Sequence, residues 1–440
     1  MKKITAIAML SLMPYGAFAQ VFKAEITVFN PDHIDEPSRT KTLRFNEATN
    51  FFDQLSTGGF KRAFGDYYNS KTLVEAKTNY RGLPMDIAFD PKTSNYTLSI
   101  DKIGIKNKSF KGISNKAASD KIERYFRHNE ENVMGKVEKW LTGNSSATVV
   151  DPIVTGGLGG GGGIVTPSFD INPFPSPSTN QPTVTTTAKP IGSTKSSGSQ
   201  IGTGLAVGVG GGNYTRGGSD ISIFSVPLST SFEIDSSDPR KKLLLNGQFS
   251  YITLDQAETY QGSVGLGYMH PLTDNWYLIP SVNYGAVGSK DLATAGQLFS
   301  TSIASHYQHK LGEYTLSMIN HFGFFKTLPL EVGNFSNDPD LSNYIIKNGF
   351  FVSRNLEQKI FGHTVNVKGI FTDTEFLGSK LFVRQYNEVG VELNTVDKVK
   401  WLNSLTFGMA DSLTFSAKYV FSVEDSNKFS GYDIGIGYDF

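Results

Sequence analysis

The chain has 440 residues, 41 basic and 41 acidic side chains, and no cysteine. A formal net charge of zero gives no reason to expect nucleic acid as a partner, and the missing cysteine excludes disulfides and thiol chemistry. With 45 Gly, 32 Phe and 19 Tyr, the composition leaves stability to packing or to a membrane.

At the amino terminus, Lys2 and Lys3 precede an apolar run from Ile4 to Met13, and Ala17-Phe18-Ala19 sets small residues at the two positions that signal peptidase reads. This is the pattern of a secretory signal peptide over residues 1–19, cleaved after Ala19. Gln20, in place of Cys, argues against lipoprotein processing. No later run approaches the roughly 18 apolar residues of a transmembrane helix, so a helical inner-membrane protein is excluded.

Residues 20–143 predict a small α+β soluble domain. Phe22, Ala24, Ile26 and Val28 alternate with Lys23, Glu25 and Thr27, as in a half-buried strand. A helix is expected over Glu47–Leu55, and strands over Met85–Phe89 and Tyr96–Ile105. One long helix is expected from Lys116 to Leu141, capped by Ser114 or Asn115. Its apolar stripe of Ile122, Tyr125, Phe126, Val133, Val137, Trp140 and Leu141 reads as core. From 144 to 200 the composition turns to Gly, Pro, Ser and Thr, the signature of a flexible linker. The glycine run at 159–163 is no phosphate loop, because no Lys-Ser or Lys-Thr closes it at the required spacing.

Residues 201–440 alternate almost without pause. Leu413, Phe415, Ala417, Tyr419, Phe421 and Val423 hold one parity against Thr414, Ser416, Lys418 and Ser422. Tyr314, Leu316, Met318, Phe322 and Phe324 do the same against Thr315, Ser317 and His321. The chain ends in Tyr432, Ile434, Ile436, Tyr438 and Phe440 with Asp or Gly between, a final amphipathic strand of the kind that serves as a barrel assembly signal. Such segments predict an all-β transmembrane antiparallel barrel with lipid outside and a polar lumen. Thirteen segments can be counted; an even number is required, the surplus falls between Asn355 and Met409, and about twelve strands are expected. Turns at Ser237–Arg240, Thr273–Asn275, Lys310–Glu313 and Ala410–Ser412 are expected in the periplasm, and longer connections at Asn213–Asp220, Val287–Gly296 and Thr327–Ser342 outside.

Residues 275–285 (NWYLIPSVNYG), 296–308, 312–329, 340–349 and 386–393 resemble the solitary outer-membrane autotransporter-type β-barrel proteins of Gram-negative bacteria. The resemblance covers the last 240 residues or so and implies an outer-membrane barrel that need not secrete a passenger. The chain departs from typical autotransporters, which carry a pore-spanning helix where this sequence is rich in Gly and Pro.

Chemistry is sparse. His306 and His309 lie three apart and face opposite sides of a strand, and His321 and His363 have no carboxylate partner in sequence. No catalytic, metal or cofactor site is expected. Arg384, Glu388, Glu392, Lys418 and Lys326 are expected to face the lumen, either lining a channel or pairing across a filled interior. The resulting reading is a non-enzymatic outer-membrane barrel with a tethered, partner-binding domain. Its partners are outer-membrane lipid, the barrel assembly machinery and an unknown periplasmic or surface ligand. The missing pore helix favours the periplasm for the domain. The rivals are a minimal autotransporter displaying the domain at the surface, a porin-like channel, and a barrel enzyme.

Overall fold

The computed structural model describes residues 22–156 and 203–439, apart from 129, 149, 334, 357, 361, 396–411 and 424–428. The signal peptide with Ala17 and Ala19, and the terminal Phe440, fall outside the described residues.

The amino-terminal part is a six-stranded antiparallel sheet in the order β2-β1-β3-β4-β5-β6, from β1 (Phe22–Phe29), β2 (Arg39–Phe45), β3 (Leu73–Tyr80), β4 (Leu83–Asp90), β5 (Asn95–Ile100) and β6 (Ile105–Lys111). Strict alternation buries one face through Phe22, Ala24, Ile26, Tyr80, Met85, Ile87, Phe89, Tyr96 and Leu98. The other face, with Lys23, Glu25, Glu75, Lys77 and Asp86, is left to solvent. Helices α1 (Ala48–Gln54), α2 (Thr57–Phe64), α3 (Asn115–Arg127) and α4 (Val133–Asn144) cover the apolar face. Helix α2 escaped sequence reasoning because Gly58 and Gly59 lower its helical propensity.

Two expectations are corrected here. The strand at Tyr96–Ile105 is two strands, broken after Ile100 by a turn with Gly104 in the left-handed region. The single helix at Lys116–Leu141 is also two. Ser114 caps α3 through Ala117 N at 3.2 Å, but Glu131 and Asn132 take φ of 59° and 55°, which ends one axis and starts another. The apolar stripe is buried on both halves, and Trp140 is half-buried.

Residues 203–439 close into a barrel of twelve antiparallel strands: β7 (Thr203–Arg216), β8 (Ser219–Glu233), β9 (Lys242–Leu254), β10 (Ala257–Thr273), β11 (Trp276–Ser289), β12 (Thr294–Leu311), β13 (Tyr314–Leu328), β16 (Ser342–Asn355), β17 (Val365–Gly378), β18 (Gln385–Thr395), β19 (Ser412–Phe421) and β20 (Phe429–Asp439). A short hairpin, β14 (Leu330–Val332) with β15 (Phe335–Asn337), stands outside the barrel. Closure comes from β20 pairing with β7, from Phe429↔Arg216 to Asp439↔Ala206, which leaves no free edge. Between Asn355 and Met409 the described residues hold two strands, β17 and β18, in line with a count of twelve.

The wall is lipid-facing outside. Val264, Met318, Phe322, Phe350, Phe371, Phe415, Tyr419, Tyr432 and Ile434 are each 45–65% exposed on the outward parity. Trp276 and Tyr307 pair at one rim, with Tyr314 nearby, while Tyr251 pairs with Tyr260 and Tyr419 with Tyr432 towards the other. Along β13, Tyr314 and Phe324 mark the two aromatic levels. At roughly 3.3 Å per residue and about 40° of tilt, they stand about 25 Å apart along the bilayer normal.

The connections expected to be short and those expected to be long do lie at opposite ends, with 410 and 411 undescribed. Their lengths differ from expectation. Asn213–Asp220 is only the turn Gly217-Gly218, because β7 and β8 run on beyond the lipid belt before they reverse.

Candidate functional site at the distal barrel mouth

The end of the barrel where β7 starts and β20 finishes is its terminal end; the opposite end carries the turns after β7, β9, β11, β13 and β17. Sequence composition left the domain hanging on a tether. Instead it is seated on this distal end, and one continuous apolar core runs from Phe22 and Tyr80 through Leu292, Leu298 and Leu341 to Phe376 and Val383. Surface complementarity of this kind arises from residues far apart in the chain, so composition does not report it.

Each of the five distal connections among the described residues supplies a polar bond. Ser146 Oγ meets Ser219 Oγ at 2.8 Å, and Asn46 Nδ2 donates to Gln256 Oε1 at 2.6 Å. Ala48 N donates to Asp291 O at 2.8 Å, and Tyr80 Oη to Leu292 O at 3.2 Å. The break before α4 is used here: Asn132 Nδ2 donates to Asp338 O at 2.7 Å while Asp338 N donates to Asn132 Oδ1. Lys139 pairs with Asp340 at 3.2 Å, and Phe382 N donates to Thr142 O at 2.7 Å. A Cβ on Gly135 would lie 2.2 Å from Asp338 O, so only glycine lets α4 approach this closely.

Two fully buried ion pairs organise the seam. Arg81, in the β3–β4 turn, pairs with Glu138 of α4, and its Nε and Nη2 donate to Ala147 O at 3.0 and 2.8 Å. The second pair reaches into the barrel. The described residues among 145–156, assigned to the linker by composition, are packed, and a short helix α5 (Pro152–Gly156) buries Ile153 and Val154. Asp151 caps that helix through Val154 N at 2.9 Å and binds Arg216 of β7 at 2.5 Å. The Arg216 guanidinium also lies 5.3 Å from the Phe382 ring centre. Thr155 O accepts from Gln261 Nε2 at 2.6 Å. Gln261 points into the lumen one position past Tyr260, the outward aromatic of the distal girdle, so α5 enters the pore to about the depth of the membrane interface.

Below it the lumen wall is polar. Glu388 is buried, with Lys347 at 2.8 Å and Thr372 Oγ1 at 2.6 Å, and Glu392 binds Lys368 at 2.6 Å. Lys418 shares this inward parity and is half-buried. His306 and His321 are buried on the inner face, whereas His309 is exposed. Two expected lumen charges are elsewhere. Arg384 is exposed on the connection before β18, and Lys326 shares the outward parity of Phe322 and Phe324. Parity from a strand carries no information beyond the strand's end, which misplaced Arg384. In the last strand Tyr432 and Ile434 face outward while Asp433 is buried inside and accepts from Tyr214 Oη. Ile436 is half-buried, and the side chain of Tyr438 lies outside the described residues. Among the described residues no group of three or more His, Asp or Glu side chains is placed to hold a metal.

Sequence reasoning missed Arg81, Glu138, Asp151 and Arg216. The one signal available was a carboxylate, Asp151, in a stretch otherwise poor in charge.

A closed twelve-stranded barrel with an apolar belt and a polar inner wall is a protein of the bacterial outer membrane. No family model matches the chain, and no curated protein matches it. Among solved structures it is similar to the beta domain of the Bordetella autotransporter BrkA, at 13% identity and a TM-score of 0.40, covering 54% of this chain and 99% of that one. The translocator domain of the autotransporter NalP from Neisseria meningitidis gives 11% identity and a TM-score of 0.38, with 54% and 88% covered. The KdgM porin gives 9% and 0.31, with 53% and 99% covered.

Proposed function

We propose that the barrel carries its own amino-terminal domain at the cell surface, as a minimal autotransporter whose exported domain stays seated on the pore. The observation behind this reading is the position of α5, inside the distal mouth and bonded to Gln261. An even-stranded barrel has both termini at one end, and that end faces the periplasm from which the chain is inserted. The distal end then faces out. Helix α5, ending at Gly156, stands in the distal mouth, and Thr203 lies at the opposite rim. An autotransporter's chain has to cross its pore, and these two described points stand at the pore's opposite ends.

The missing pore helix had favoured the periplasm; the seat of the domain weighs more, because it rests on buried contacts. The same contacts argue against a permanently open porin. The role left for the domain is binding at the surface, with no catalytic step.

The absence of native cysteine supplies the test. In Lys77→Cys, on the exposed face of the sheet, a membrane-impermeant maleimide should label intact cells. Asp274→Cys, in a terminal-end turn, should react only after the outer membrane is permeabilised. The opposite pattern would reverse the orientation.

A further inference from the structure

Strand β6 forms one edge of the domain's sheet, and its charge is one-sided. Residues 102–121 hold six lysines and one acid, Asp120, in a chain of zero net charge. Lys102, Lys106, Lys111, Lys116 and Lys121 are exposed, and among the described residues Lys108 alone of the six has an acid partner, Glu131. Elsewhere on the domain Arg39, Arg62, Lys71 and Lys139 each hold a carboxylate. Packing sets the lysines of α3 and β6 on one surface, because Lys121 Nζ donates to Lys111 O at 2.8 Å. Lys116 stands in the first turn of α3, which has no acid, so the helix dipole adds to the local positive potential.

The strip runs outward from the barrel. β4 leaves the seam at Leu83, beside Arg81; β5 returns from Asn95 to Ile100, and β6 leaves again from Ile105 to Lys111. Lys102 therefore lies at the barrel end, and Lys111 stands roughly 20 Å further along the strand. A lone phosphate has no use for that length; a larger polyanion does. On the solvent face of the same strands stand Asn95, Thr97, Ser99, Asn107 and Ser109, amides and hydroxyls that suit sugar hydroxyls. Phe110, the one aromatic residue in 102–121, is buried, which leaves a nucleobase nothing to stack on.

We propose that this edge binds the phosphorylated saccharide head group of lipopolysaccharide standing beside the barrel in the outer leaflet. The occupant rests on the surface orientation proposed above, which puts the strip on the side of the membrane where those head groups are.

The test titrates the full chain, in neutral amphipol, with the deacylated, water-soluble core oligosaccharide of a rough-type lipopolysaccharide, followed by calorimetry. Saturable binding is expected, weaker at about 300 mM than at about 50 mM salt because the contacts are exposed. Lys106→Gln/Lys111→Gln/Lys116→Gln should weaken it at least tenfold. Lys61→Gln/Arg62→Gln/Lys71→Gln, which removes the same charge elsewhere on the domain, should leave it within twofold. The dephosphorylated oligosaccharide should bind at least tenfold less well, and tripolyphosphate and a single-stranded oligonucleotide should compete poorly. Each variant is first checked for barrel migration and for protease resistance of the domain. Absence of saturable binding, equal loss in the two triple variants, undiminished binding after dephosphorylation, or competition by tripolyphosphate or the oligonucleotide as tight as the saccharide's would each overturn the proposal. A domain found in the periplasm by Lys77→Cys labelling would remove this occupant whatever the titration gave. Binding in solution does not depend on which way the barrel faces, so the two failures are told apart.

Discussion

The pair Asp151–Arg216 offers the sharpest perturbation of the seated domain. Both side chains are 0% exposed, so removing one charge strands the other with no water to receive it. Loss of one partner of such a pair costs about 3–5 kcal/mol, whereas apolar replacement of both is often close to neutral. Asp151→Asn is the cleaner change, because Asn keeps the oxygen that caps α5 at Val154 N and removes only the charge. If the cost falls on seating, the docked fraction shifts by about two to three and a half powers of ten. The assay is amide hydrogen exchange over residues 145–156 in the purified barrel. Asp151→Asn and Arg216→Met should each expose this segment, and Asp151→Asn/Arg216→Met should recover most of the protection. Unchanged protection in both single variants, or a double variant at least as exposed as the worse single one, would refute the claim that this pair holds α5 in the mouth.

Other variants test neighbouring parts of the structure. Gly135→Val should unseat α4, since its Cβ would meet Asp338 O and the Asn132 amide. The loss of the Asn132 and Lys139 contacts should show as faster proteolysis between 128 and 156 with barrel migration intact. On the lipid face, Phe415→Arg lies about 10 Å below the Tyr419 level, near the midplane, and should cost about 2–4 kcal/mol in vesicle refolding. Tyr419→Arg, at the distal girdle, should cost about 0–1 kcal/mol, and equal costs would contradict the assigned depth. In the lumen wall, Lys347→Met should destabilise the barrel more than Lys368→Met in urea titration, because the Lys347 side chain is 6% exposed against 18% for Lys368.

Period-two patterning and the signal-like leader were enough to read a barrel, since lipid on one face and polar atoms on the other force every second residue into the same environment. That rule puts Phe415, Tyr419, Tyr432 and Ile434 on one parity, exposed on the wall, and Glu388, Glu392 and Lys418 on the other, buried or half-buried. It fails where a strand stops, as at Arg384, and where a kink depends on two residues taking positive φ, as at Glu131 and Asn132. The tertiary structure alone decided that the domain sits on the barrel and that residues 145–156 enter it. Those contacts join residues such as Tyr80 to Leu292 and Asp151 to Arg216. Local sequence encodes which face of an element is apolar, but which other element covers that face is settled only when the whole chain has packed.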